Sequence, residues 1–175
     1  EEDARTFINR TKRRYDVIVH DTFTGGSTPE HLLSREVFAR IHQMLNRGGL
    51  LTLNFVGGDS GPEGVATRLV GQTLRAEFPH VRAFKDDDHE RITNVIFFAS
   101  DTDLQIENVQ SVRFSHRGRE EARRAFLEHE LQLREDSSRR IITDEFNPLN
   151  RLELPIAEAH AAAMNQVLPP AVWLN

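Results

Sequence analysis

Two short apolar runs separated by one amphipathic segment constrain this chain most. Tyr15-Asp16-Val17-Ile18-Val19-His20-Asp21 is a β-branched run bounded by charges, and it reads as a buried parallel strand. Leu50 to Val56 reads as a second buried strand. Between them Val37, Phe38, Ile41, Met44 and Leu45 share one face of a helix over about Ser34 to Asn46. Ser34 suits its N-cap and Gly48-Gly49 its stop. Strand, helix, strand in that order predicts an α/β sheet of mostly parallel strands.

The rest of the chain extends the pattern. Pro62 fits the first turn of a helix marked by Val65, Leu69, Leu74 and Phe78 and ended by Pro79. Val81 to Lys85 and Asn94 to Ala99 read as an antiparallel strand pair around the turn Asp86-Asp87-Asp88. A charged helix over about Arg117 to Glu135 has a thin apolar line of Ala122, Phe126 and Leu133. Ile141 to Asn147 is short and extended. An Ala-rich helix over about Pro155 to Val167 stops at Pro169-Pro170. The expected organisation is one domain over 1–175, with a sheet core in 1–100 and a C-terminal helical extension in 101–175.

Composition narrows the function classes. With 38% hydrophobic and 28% charged residues, 175 residues supply one sizeable core. The net charge of −5 lacks the positive field that general nucleic-acid binding needs, so no nucleic-acid partner is expected. The basic stretches Arg10 to Arg14, Arg117 to Arg124 and Arg139-Arg140 read as solvated faces, because Arg119, Arg123 and Arg124 interleave with Glu120, Glu121 and Glu128. The chain has no cysteine, which excludes disulfides, zinc–thiolate sites and thiol catalysis. That fits a reducing compartment, and a cytoplasmic location is expected. No apolar run approaches the ~18 residues of a membrane span. The eight histidines are dispersed with no HExxH, so no metal is expected. There is no G-x-S-x-G elbow, dinucleotide fingerprint or P-loop. The chain opens on Glu1 rather than Met, within charged sequence, and the expectation is a piece of a longer protein.

An α/β sheet of this kind binds ligands at the carboxyl ends of its strands. That rule selects three segments: His20 to Pro29, Asn54 to Pro62, and the segment entering the first strand. Asp21 is the most suggestive residue, standing where the first strand opens into a Gly-rich loop. A carboxylate there accepts a proton or holds an ammonium group. The plainer alternative is a turn cap. Gly25-Gly26 allows close backbone approach to a ligand, or simply a turn. His20 is a polar strand-end residue within reach of a ligand. Asp144 and Glu145 are either turn residues or acids that reach the sheet's carboxyl edge.

Several segments carry a resemblance. Asp3-Ala4-Arg5-Thr6-Phe7-Ile8, Tyr15 to Asp21, Pro29-Glu30-His31-Leu32 and Leu45-Asn46-Arg47-Gly48-Gly49-Leu50 resemble the spermidine/spermine synthase family. That family comprises polyamine aminopropyltransferases on the class I methyltransferase fold. Thr143-Asp144-Glu145-Phe146-Asn147-Pro148 resembles the Thr-Asp-acidic-x-x-Pro segment of outlying members. The resemblance runs to about Pro148 and is strongest from Asp3 to Leu50. It implies the C-terminal part of a Rossmann-like sheet, mostly parallel with an antiparallel last strand pair.

The resemblance also implies an activity and its residues. Decarboxylated S-adenosylmethionine would be the donor and a small-molecule amine the acceptor. A methyltransferase of the same fold would use S-adenosylmethionine, and a non-catalytic scaffold is the third alternative. Asp3 would contact the adenine amino group, with Ala4 beside it. Asp21 would anchor and deprotonate the amine, and Thr22, Gly25, Gly26 and Ser27 would line the acceptor side. The resemblance allows a homodimer. Two departures stand out. Where the family has Asp-Ser-Ser-Asp-Pro, this chain has Asp21-Thr22-Phe23-Thr24-Gly25, so Thr24 replaces the second acid, and the chain has one tyrosine, Tyr15. The family's glycine-rich nucleotide loop and ribose-binding acid, which would precede Asp3, have no counterpart. The chain by itself is therefore expected to bind S-adenosyl nucleosides weakly and to be inactive.

Overall fold

The computed structural model describes residues 2–22, 29–61, 63–85, 92–106, 117–133 and 140–152, together with Leu154 and Glu158. Helix α1 (Ala4–Arg10) leads into strand β1 (Tyr15–His20). A 3-10 turn (Glu30–Leu32) precedes α2 (Arg35–Met44), β2 (Leu45–Gly57) and α3 (Glu63–Arg75). Then come β3 (His80–Lys85), β4 (Thr93–Ser100), α4 (Arg117–Glu128) and the short α5 (Leu149–Leu152).

The four strands form one sheet in the order β1-β2-β4-β3. β1 and β2 pair in parallel, and β4 pairs antiparallel with both β2 and β3. β1, β2 and β3 thus run the same way, and their carboxyl ends share one edge. The expected antiparallel pair is β3 and β4.

One face of the sheet makes the core. Val37, Phe38 and Ile41 of α2 and Ala66, Leu69 and Val70 of α3 pack on Leu51, Leu53, Phe55 and Phe97. β2 alternates between fully and partly buried residues, as the two-residue period of a strand requires. On the other face Phe126 of α4 stacks on Phe84, with ring centroids 5.0 Å apart, and meets Phe98 edge-on at 6.4 Å.

Two element ends differ from the sequence expectation. α2 stops at Met44 rather than near Asn46, because Leu45 is already extended (φ −82°, ψ 142°) and pairs with Tyr15. β2 advances from Leu45 to Leu50 while β1 advances only from Tyr15 to Val17. Gly48 takes up that slack with φ 73°, a conformation that favours glycine. α4 ends at Glu128, well short of Glu135. The chain beyond it turns to the outer edge of β3, where Lys85 N–H donates to the His129 carbonyl (3.1 Å) and Leu131 N–H to that of Ala83 (2.8 Å). Pairing an otherwise bare strand edge wins over two more helical turns. Leu133 leaves the helical line and packs by Gly71 of α3.

Helix α1 was not anticipated. Burial of β1 on both faces is half realised: Ile18 and His20 face the core side, whereas Val17 and Val19 are 54% and 70% exposed. The Asp86-Asp87-Asp88 turn and the Pro155 to Val167 helix lie outside the described residues.

Candidate functional site

β1 delivers Asp21 to the carboxyl edge of the sheet, one residue past the strand's end. Its neighbour across the parallel pair is Asn54, which follows Leu53, the partner of His20. Leu53 and Phe55 face the core, so Asn54 points to the opposite side. There its Nδ2 donates to Asp21 Oδ1 at 3.1 Å. An amide donor fixes the carboxylate without neutralising it, and leaves the second oxygen to accept from an incoming group.

The residues around Asp21 hold several unpaired polar atoms. His20 is 5% exposed, and neither ring nitrogen has a hydrogen-bond partner. Burial pushes its imidazole below the ordinary histidine range, against the opposing pull of the His20 and Leu32 backbone and of Asp21. The ring is therefore neutral. Thr22 Oγ1, Glu30 Oε2 and Asn54 Oδ1 are also buried without partners. Each unmet polar atom costs about 1–3 kcal/mol. His20, Thr22 and Asn54 stand together at the carboxyl ends of the paired strands β1 and β2.

The 3-10 turn beside this end is held by two residues far apart in the sequence. Arg5 Nη1 donates to the His31 carbonyl (2.7 Å), and Asn147 Nδ2 donates to the Glu30 carbonyl (2.8 Å). Arg5 also pairs with Asp144, which accepts a 2.5 Å hydrogen bond from Ser34 Oγ, the N-cap of α2. Burial works to raise the Asp144 pKa, but the Ser34 and Arg5 hydrogen bonds outweigh it and the net effect is a lowered value. Asp144 thus joins α1, α2 and the turn.

A cavity of about 590 Å³ opens farther along the same edge, between the start of α3, the end of β3 and residues 128–133. In it the buried Lys85 donates from Nζ to Asp59 Oδ2 at 2.6 Å. That bond, with one from Ser60, holds the Asp59 carboxyl below the usual aspartate range. Among the described residues, no group of three or more acidic or histidine side chains converges as a metal site would. No described helix is long and apolar enough to cross a membrane.

No protein-family profile matches the chain. Along 98% of its length it is 28% identical to an N-terminal histidine N-methyltransferase of Emericella nidulans, of which it covers 34%. Over 30% of its length it is 40% identical to a polyamine aminopropyltransferase of Vibrio vulnificus, covering 18% of that protein. A probable spermidine synthase from Corynebacterium glutamicum has a similar structure: TM-score 0.53 and 26% identity, over 62% of this chain and 39% of that one. The chain is thus similar both to an N-methyltransferase and to a probable spermidine synthase, and its fold is class I methyltransferase-like. It spans about a third of the length of the methyltransferase relative and under a fifth of the aminopropyltransferase.

The anticipated site residues fall into three groups. Asp21 and the half-buried Thr22 stand together at the carboxyl edge. Gly25, Gly26 and Ser27 lie outside the described residues. Asp3 and Ala4 open α1, which packs on α2 and the 3-10 turn. There Asp3 Oδ1 accepts from Thr6 N–H at 2.9 Å as the helix N-cap, and that bond leads the lowering of its pKa. Its Oδ2 lies 4.0 Å from His31 Nε2. Sequence reasoning missed Asn54. The signal for Asn54 was present: one amide interrupts the apolar run Leu50 to Val56.

Proposed function

We propose that this chain carries the acceptor side of a transferase that moves an alkyl group from a sulfonium nucleoside to a nitrogen nucleophile. The observation behind this reading is the Asp21 carboxylate, fixed by Asn54 at the carboxyl end of β1. A protonated amine cannot attack carbon. A carboxylate attracts the ammonium form, accepts its proton and leaves the lone pair aimed at the carbon beside the sulfonium. Asp3 and Ala4 belong to the adenine side. Thr22, Gly25, Gly26 and Ser27 belong to the acceptor side.

Transfer of an aminopropyl group from decarboxylated S-adenosylmethionine to a small-molecule amine, in the cytoplasm, is the first reading. The similarity to a polyamine aminopropyltransferase and to a probable spermidine synthase supports it. Methyl transfer from S-adenosylmethionine is the second. It is favoured by the match along 98% of the chain to an N-terminal histidine N-methyltransferase, and by Thr24 in place of a second acid. Asp21 serves either, since both deliver carbon to nitrogen.

Turnover with each donor, measured on this chain in its full-length context with amine and N-terminal histidine acceptors, separates the two. Turnover with the decarboxylated donor and a diamine supports the first reading. Turnover with S-adenosylmethionine alone supports the second. Donor binding with no transfer to any nitrogen would leave a scaffold and overturn both. The chain by itself should bind either nucleoside weakly, and low-micromolar binding in calorimetry would contradict that.

A further inference from the structure

Helix α3 buries two threonines, and they differ. Thr73 Oγ1 donates to the Leu69 carbonyl four residues back (2.7 Å) and accepts from Ile142 N–H (2.9 Å). That hydroxyl is used both as donor and as acceptor. Thr67 is 2% exposed, and its Oγ1 has no hydrogen-bond partner. It stands about one turn into the same helix, on the wall of the cavity of about 590 Å³. Its hydroxyl lies over the end of β2, where Gly57 has no side chain to fill the space. A Cβ at Gly57 would come within 2.4 Å of Oγ1.

We propose that this cavity binds an anionic group, a phosphate or a carboxylate, between Thr67, Arg68 and the first turn of α3. The N-terminus of a 13-residue helix favours negative charge. Arg68 folds back over that first turn, its Nη1 lying 2.8 Å from where a Cβ on Gly64 would stand. It lines the cavity and forms no ion pair with any described residue. Its planar fork of N–H donors suits either anion, and Thr67 adds an O–H. The acids on the wall are engaged elsewhere. Asp59 is bound by Lys85 and Ser60, Glu130 by Arg82, and Glu128 is exposed at the end of α4. The volume suits a small ligand, and Leu131 and Leu133 offer an apolar wall to whatever carries the anion. The site is separate from Asp21. β2 and β4 lie between β1 and β3, so the carboxyl ends of β1 and β3 are about 14 Å apart, three strand spacings. The inference therefore does not depend on transfer to nitrogen.

The test is calorimetry on the full-length protein with inorganic phosphate and with acetate, at constant ionic strength, for the native chain, Arg68→Gln and Thr67→Val. Arg68→Gln should weaken anion binding about tenfold to a hundredfold, as loss of a charged hydrogen bond does. Thr67→Val changes no charge and should weaken it about twofold to tenfold. Because Thr67→Val removes an unbonded buried hydroxyl and keeps the shape, it should hold or raise the melting temperature of the anion-free protein. A weaker site in an equally stable protein is a result that a merely structural Thr67 would not give. With both variants weakened, preference for phosphate assigns a phosphoryl ligand and preference for acetate a carboxylate. A native protein that binds neither anion, or binding that both variants leave unchanged, would overturn the site. Loss in Arg68→Gln alone would overturn it too, since removing a positive charge weakens anion binding anywhere nearby.

Discussion

A carboxylate serves a nitrogen acceptor only while it is ionised and correctly aimed, and Asn54 does the aiming at Asp21. Asp21→Asn keeps the size but removes the base and the charge. In the full-length context it should lower turnover by about 10²–10⁴ and leave donor affinity unchanged. Steady-state rates and donor titration check this; full turnover in the variant would reduce Asp21 to a loop cap. Asp3 needs a different design, because its Oδ1 caps α1 whatever else the residue does. Asparagine caps a helix about as well as aspartate. Asp3→Asn should therefore keep the melting temperature and weaken donor binding if the carboxylate holds the adenine amino group, whereas Asp3→Ala should lower both. Donor affinity unchanged in Asp3→Asn would leave Asp3 as a cap only. The place of Asp21 just past β1 was legible in the sequence, because an acid there closes an apolar run. Asn54 was less so, because its amide gains meaning only from Asp21, which the parallel pairing of β1 and β2 brings beside it.

Elements were legible where one periodicity ruled and obscure where two structures competed for the same residues. Ser34 reads as an N-cap and is one, its Oγ accepting from Val37 N–H. The C-terminal ends of α2 and α4 could not be read, since Leu45 and His129 leave their helices to pair with strands brought near by the fold. Lys85 and Asp59 likewise join the end of β3 to the loop after β2. Lys85 is 8% exposed, but the Asp59 side chain is 34% exposed and can rehydrate. Lys85→Met should therefore cost about 1–2 kcal/mol in denaturant unfolding, below the ~3–5 kcal/mol of a fully buried broken pair. Acid should act in two steps. The folded chain resists protonating His20, so stability falls as pH drops below the ordinary 6.5, where the unfolded ring takes up a proton. Asp59 and Asp144 have folded values below 3.8, so their contribution is complete above that pH and drains as pH falls through the folded values. Melting temperatures from pH 7.5 to 3 should show both declines, and Asp59→Asn should shrink the second only.

At the scale of the whole molecule the two sides of the sheet are treated unequally. Beyond β3 the backbone of residues 129–131 pairs with the strand's outer edge, and Arg82 holds that segment through two 2.7 Å bonds to Glu130. At β1 no described strand pairs on the far side, and Val17 and Val19 present apolar surface on the face away from α2. Alternating strands and helices made the α/β class legible. The exposure of β1 was not legible from the run itself, because Val-Ile-Val reads the same in a central strand and in an edge strand. An apolar strand with an unpaired edge is a template for association. This chain in isolation should therefore self-associate with rising concentration and bind a hydrophobic dye. Val19→Lys should suppress both, since a charge on an edge strand opposes pairing. It should leave the melting temperature nearly unchanged, because a side chain 70% exposed loses little packing. Light scattering and dye fluorescence on the two chains decide the matter. A native chain that stays monomeric without dye binding would mean that this edge is covered. A Val19→Lys chain that associates as before would move the contact to another surface.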